Sequence, residues 1–280
     1  MLADIVYPLG GIMRRFHCAL LAAVAVFGFA SVASAADLPV KAPAYKAPVV
    51  VPYNWTGFYI GGSAGYAWMN STDEITVAPP SSLISSGSVP SSVSLDPNGF
   101  IGGAQVGYNW QAPGTMWVYG IEGDISWANL DKTVSAPGGP DTTGVRVITA
   151  QQKLDSLGTL RGRLGWTPAD RVLLFVTGGL AVGHGSLSTA LTRLPPSAGC
   201  VGGANNCAQG SVSDTKAGWT IGGGLEWAFA NNWSVKAEYL YFDIGSLSHT
   251  MTDPNFPAII FNASADFKGS IARAGVNYHF

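Results

Sequence analysis

Met116-Trp-Val-Tyr-Gly-Ile-Glu-Gly-Asp-Ile-Ser-Trp127 alternates with a period of two. Trp117, Tyr119, Ile121, Ile125 and Trp127 fall on one face, and Gly120, Glu122, Asp124 and Ser126 fall on the other. Such alternation marks a strand whose two faces meet different surroundings. The pattern recurs along the chain. Phe100, Ala104, Val106, Tyr108 and Trp110 oppose Gly103, Gln105, Gly107 and Asn109. Trp219, Ile221, Leu225 and Trp227 oppose Thr220, Gly222, Gly224 and Glu226. Trp233, Val235, Ala237, Tyr239 and Tyr241 oppose Ser234, Lys236 and Glu238, and Ala272, Ala274, Val276, Tyr278 and Phe280 oppose Arg273, Asn277 and His279. Further strands fit at 57–68, 152–166 and 172–183, the last apolar on both faces. That makes eight.

The connections are of two kinds, and they alternate. Gln111–Thr115, Thr167–Arg171 and Ala230–Asn232 are tight turns, whereas 69–98, 128–151, 184–214 and 246–265 are long and rich in Ser, Pro, Gly and Thr. Four long loops on one side, with three short turns and both termini on the other, is the asymmetry of an outer-membrane barrel. The aromatic residues agree. Trp110, Trp117, Trp166, Trp227, Trp233, Tyr278 and Phe280 fall at short-turn ends, and Trp68 and Trp127 at long-loop ends. Two aromatic bands are expected at the two membrane interfaces.

Charge placement completes the reading. With the aromatic face outward, Glu122, Asp124, Lys153, Asp155, Arg161, Arg163, Glu226, Lys236, Glu238 and Arg273 all point into the lumen. A basic side chain facing lipid at the bilayer midplane costs about 2–4 kcal/mol, which gives the pattern a physical cause. Asp243 and Lys268 depart from it, at positions where strands leave the membrane. Eight strands enclose a lumen just wide enough to be filled by side chains. The expected fold is all-β: an eight-stranded antiparallel transmembrane up-and-down β-barrel, over residues 57–280.

Composition fits that solvent. Only 11% of the 280 residues are charged while 47% are hydrophobic, and 36 are Gly. Soluble domains carry roughly 25% charged residues. Nine Trp, ten Tyr and twelve Phe argue against disorder. The net charge of −2 leaves no electrostatic case for nucleic acid.

Upstream of the strands, Arg14 and Arg15 precede an apolar run from Cys18 to Ala30 and then Ala33-Ser-Ala35. This reads as a signal peptide over 1–35, cleaved at the site formed by Ala33 and Ala35, with Met13 an alternative start. Residues 36–56 are Pro- and Ala-rich and read as an extended periplasmic linker. Cleavage leaves two cysteines, Cys200 and Cys207, in a Gly- and Asn-rich stretch, and outside the cytoplasm an even count suggests a disulfide.

Asn54-Trp-Thr-Gly-Phe-Tyr-Ile-Gly-Gly62, Thr159-Leu-Arg-Gly-Arg-Leu-Gly165, Gly218-Trp-Thr-Ile-Gly-Gly-Gly-Leu-Glu226, Ala237-Glu-Tyr-Leu-Tyr241 and Arg273-Ala-Gly-Val-Asn-Tyr-His-Phe280 resemble the porin-like outer-membrane immunogenic proteins of alphaproteobacteria. So does Ala36-Asp-Leu-Pro-Val-Lys41. The resemblance covers nearly all of the mature chain and is weakest in the loops. It implies a small OmpA-like barrel, a surface antigen of the Gram-negative outer membrane, in contact with membrane lipids and lipopolysaccharide. By that resemblance Tyr278 and Phe280 form the signal read by the barrel-assembly machinery, and Ala36 could be joined to peptidoglycan.

The same residues offer little catalytic or cofactor chemistry. Gly61-Gly-Ser63-Ala-Gly65 matches a nucleophile-elbow pattern, but that motif needs a strand-to-helix turn and Ser63 lies mid-strand. His184 and His249 read as loop residues, and His279 as part of the terminal signal. Some relatives bind haem, and one unpatterned loop His is a weak basis for it. No enzyme, no metal and no cofactor is expected. The remaining choice lies between a structural barrel that stabilises the envelope and displays four loops, and a general diffusion porin or narrow channel. A loop-mediated binding protein is the third class.

Overall fold

The computed structural model describes residues 52–80, 82–141, 144–194, 206–253 and 256–280. Among them are β1 (Gly57–Met69), β2 (Thr72–Ala78), α1 (Ser82–Ser85), β3 (Ser92–Ser94), β4 (Asn98–Gln111), β5 (Trp117–Asp141), β6 (Gly144–Ala169), β7 (Val172–Leu194), β8 (Asn206–Trp227), β9 (Trp233–Asp253) and β10 (Phe256–His279). Hydrogen-bonded neighbours run β1-β4-β5-β6-β7-β8-β9-β10, and β10 pairs back onto β1 from Tyr59↔His279 to Met69↔Gly269. This antiparallel ring of eight strands has the expected topology. Closure removes the unpaired strand edges that lipid would not tolerate.

The outward aromatic and aliphatic side chains stay exposed on the ring, as a lipid-facing wall requires. Phe100, Trp117, Tyr119, Ile121, Ile125, Trp127, Leu160, Val176, Leu180, Trp219, Ile221, Trp227 and Trp233 are all exposed. Water would penalise such a surface at roughly 25 cal/mol per Å², whereas lipid tails do not.

Three of the segments expected as long loops are mostly strand. β5 and β6 stay paired out to Asp141↔Gly144, β6 and β7 out to Val145↔Leu194, and β9 and β10 pair through Met251↔Phe261. The fourth, 69–98, contains β2, α1 and β3. β2 pairs with β10 from Ala265↔Asp73 to Ile260↔Ala78, so it extends the wall above the shorter β1 and β4.

The reason lies in an inversion of pattern. Within the lipid-facing zone the wall is apolar outside and charged inside. Beyond it, Leu130, Ile148, Ala150, Leu154, Leu187, Leu191, Met251, Phe261 and Ala263 are buried inside, and Ser, Thr and Gln face out. Outside the lipid the outer face meets water, so the wall adopts the polarity of an ordinary soluble sheet. A reading anchored on outward aromatics sees only Ser and Thr there and takes it for loop.

Two clusters fill this extracellular half. One joins Met69, Leu95, Leu130, Leu154, Leu157, Leu187, Phe242, Ile244, Leu247 and Phe267; above it lie Ile75, Val89, Val93, Ile148, Leu191, Met251 and Phe261. At the opposite, short-turn end, a third cluster of Trp55, Val118, Leu173 and Ala228 closes the mouth. Trp55 and Tyr53, in the stretch that composition reads as linker, therefore pack into the barrel mouth. The backbone N–H of Tyr53 donates to Asp170 Oδ1 (2.7 Å) and that of Trp55 to Gln111 Oε1 (3.1 Å).

The barrel interior as the candidate functional site

Between the two apolar fillings lies a charged layer. It holds four acids, Glu122, Asp124, Glu226 and Glu238, and four bases, Arg161, Arg163, Lys236 and Arg273, every one buried. Their positions follow from register. Glu122 stands opposite Arg161, Glu238 opposite Arg273, and Glu226 opposite Lys236 on neighbouring strands. With a side-chain period of two, each strand delivers alternate residues to the lumen.

Arg161, with 0% relative exposure, is the hub. Its Nη2 bonds Glu122 and reaches Asp124 Oδ2 at 3.0 Å, and its Nη1 reaches Glu238 Oε2 at 3.0 Å. Arg273 links the same two strands from the other side, with Nε to Glu238 Oε1 at 2.7 Å and Nη1 to Asp124 Oδ1 at 2.9 Å. Lys236 donates across the lumen to Glu122 (2.9 Å) and Gln105 Oε1 (3.0 Å), and along its own strand to Glu238 (3.1 Å), rather than to its cross-strand neighbour Glu226.

Glu226 instead anchors a second group nearer the periplasmic mouth. It pairs with Arg163 and accepts from Ser234 Oγ (2.6 Å) and Asn277 Nδ2 (2.7 Å). The His279 ring lies 3.4 Å away from its carboxylate. Arg163 also sits 3.8 Å above the Phe175 ring, a cation–π contact. Tyr59 joins the groups, its hydroxyl donating to Glu122 Oε2 at 2.6 Å.

Eight of the ten expected interior charges are thus brought together. Lys153 and Asp155 are not. Leu154 pairs with Gly185 and Ser156 with His184, so Asp155 is an extra residue in β6 relative to β7. Such a β-bulge reverses the parity beyond it. Leu154 therefore turns inward, and Lys153 forms an exposed ion pair with Asp131 (3.2 Å). Exposed pairs contribute about 0–1 kcal/mol. Lys153→Gln is therefore expected to lower the unfolding free energy of the detergent-refolded barrel, measured by urea titration, by under about 1 kcal/mol. A larger loss would place Lys153 in the buried network.

His184 and His249 lie in β7 and β9 rather than in loops. His184 Nδ1 is 3.0 Å from Thr215 Oγ1 on the outer face. His249 is partly buried in the apolar half, where burial lowers its pKa. In the same half Asp73 accepts a hydrogen bond from Thr189 Oγ1 (3.0 Å), and burial raises its carboxyl above the ordinary value. Ser63 is buried in mid-strand, paired with Gly275 and Gly103, with no turn to expose its hydroxyl. Among the described residues no three of His, Cys, Asp and Glu are grouped to hold a metal ion. Tyr278 packs edge-on against Trp233 (5.1 Å) and Phe280 (5.2 Å) in the outward girdle. Ala33, Ala35, Ala36 and Cys200 lie outside the described residues, so the leader, the tether and the pairing of Cys207 stand as sequence readings.

Tyr59, Gln105, Ser234 and Asn277 belong to the network although they carry no charge. Parity already placed the last three inward. Tyr59 is the exception, an aromatic ring turned inward where aromatics otherwise mark the outer face.

Residues 21–280 match the family model described as outer membrane protein beta-barrel domain. The 31 kDa outer-membrane immunogenic protein of Brucella melitensis is 37% identical, over 93% of this chain and 98% of that protein. The 25 kDa outer-membrane immunogenic protein of Brucella abortus is 28% identical, over 85% of this chain and 90% of its own. Among solved structures, the outer membrane protein OprG from Pseudomonas aeruginosa shares 12% identity with a TM-score of 0.49, covering 81% of this chain and 98% of that one.

Proposed function

The chain belongs to the outer membrane protein β-barrel family, among the outer-membrane immunogenic proteins, and from that premise we propose that it is a closed structural barrel and surface antigen of the Gram-negative outer membrane. The observation that carries this is the filled lumen. Three layers follow one another: the Trp55 cluster, the eight-residue charge layer, and the apolar extracellular core. A diffusion porin needs a continuous water path, and a fully buried Arg161 bonded to three carboxylates stands across it. The relatives described as immunogenic support the antigenic part of the reading.

The remaining assignments rest on the sequence. Residues 1–35 act as a cleaved leader, Ala36 offers a peptidoglycan attachment point, Tyr278 and Phe280 serve barrel assembly, and Cys200–Cys207 closes the third extracellular connection. Membrane lipids are the constant partner, and no residue is assigned a catalytic role.

Planar-bilayer recording of the refolded mature chain tests the central claim. The expected result is a silent membrane with protein whose heat-modifiable gel mobility shows it folded. Steady openings, shifted in ion selectivity by Arg161→Gln with Glu226→Gln, would establish a pore instead.

A further inference from the structure

Above the outer aromatic residues Trp127 and Trp219, the outward face of β5 to β8 carries an ordered array of hydroxyl and amide groups. Register sets them in rows across the four strands. Asp131, Lys153, Ser186 and Ser213 form the first row. Thr133, Gln151, Ser188 and Ser211 form the second, and Ser135, Thr149, Ala190 and Gln209 the third. Neighbours lie about 4.8 Å apart across strands and roughly 7 Å apart along them. Gln151 Nε2 donates to Asp131 Oδ1 (2.9 Å), and the hydroxyls of Ser135 and Thr149 are 2.8 Å apart, which fixes their orientations. A concavity of about 570 Å³ runs along the second and third rows.

We propose that this face binds the sugar headgroup of the glycolipid that forms the outer leaflet. Continuity with the lipid-facing wall argues for that occupant. The strand faces that meet acyl chains at Trp127, Leu160, Val182 and Trp219 lead upward into the array, with one β-bulge at Asp155 between them. The polar part of the leaflet's own lipid lies at that level. The chemistry also fits. A sugar offers paired donors and acceptors at spacings of a few ångströms, and Ser, Thr and Gln supply both functions. Charge is balanced locally, Lys153 against Asp131 (3.2 Å), so the face suits hydroxyl-rich groups rather than a polyanion. This deepens the structural reading: the barrel would brace the leaflet by holding both parts of its lipid.

The inference rests on the outer-membrane placement but is separable from lumen closure, because its test does not measure conductance. Thermal unfolding of the detergent-refolded chain is followed with added lipid A, with rough lipopolysaccharide carrying the core sugars, and with the free deacylated core oligosaccharide. Rough lipopolysaccharide is expected to raise the midpoint by several degrees more than lipid A, in 50 mM and 300 mM salt alike. Gln151→Ala with Ser188→Ala and Ser211→Ala is expected to remove that difference and leave the lipid A shift intact. Equal shifts from lipid A and rough lipopolysaccharide with the unmodified chain would overturn the proposal whether or not the variant folds. So would a difference that vanishes at high salt, which would mark a charge effect. A shift from the free oligosaccharide equal to that from the intact glycolipid would overturn the membrane source.

Discussion

Arg161→Met is expected to lower the unfolding free energy of the detergent-refolded barrel by about 3–5 kcal/mol, the scale for removing one partner of a buried ion pair. The side chain is fully buried and holds Glu122, Asp124 and Glu238 together. Without it the buried layer contains four carboxylates and three cations, an uncompensated charge. Urea titration read by heat-modifiable mobility measures the loss. Removing a carboxylate as well, in Arg161→Met with Glu122→Leu, is expected to recover part of it, since apolar groups of similar volume often replace a buried pair without penalty. A single-variant loss under about 1 kcal/mol would mean that the layer is wet, and would return the channel reading to first place.

The layer was legible because lipid imposes a one-sided penalty. A charge on the outer face of a transmembrane strand is expelled, so parity in Glu122, Arg161, Glu238 and Arg273 reads directly as inward orientation. The aromatic girdle is legible for the same reason. What escaped sequence reading lies where that penalty ends. Past Trp127 on β5 and Ser156 on β6 the wall leaves the lipid, and the rule linking apolar to outward reverses. Leu130, Leu154, Leu187 and Met251 then mark the inside of a continuing strand. Asp155 compounds the difficulty, because one extra residue in β6 relative to β7 flips Lys153 outward with nothing in the local composition to announce it. The end of the linker failed differently. Tyr53 and Trp55 sit in a Pro- and Ala-rich context, yet their two aromatic rings, 4.9 Å apart at their centroids, fill the mouth against His279.

The apolar half supplies the sharper test of how the barrel is held together, because apolar packing fills it. Phe267 of β10 is 1% exposed, and its ring lies over Gly185 of β7. A Cβ at position 185 would come within 2.5 Å of that ring, so glycine is what lets the two walls close on it. Phe267→Ala leaves a cavity that the paired strands cannot collapse, and is expected to destabilise by about 3–5 kcal/mol. Gly185 stands roughly 20 Å along β7 from Gly179, the residue paired with Arg161, at about 3.3 Å per residue. Sites more than about 7–10 Å apart with no shared partner generally add to within about 0.5 kcal/mol. The double variant with Arg161→Met is therefore expected to lose the sum of the two single losses. Phe267→Ala alone is expected to keep a bilayer silent, because the charged layer still blocks the lumen below the cavity. Conductance from this variant while the charged layer is intact would show that the apolar core is the seal and the charges merely line a path.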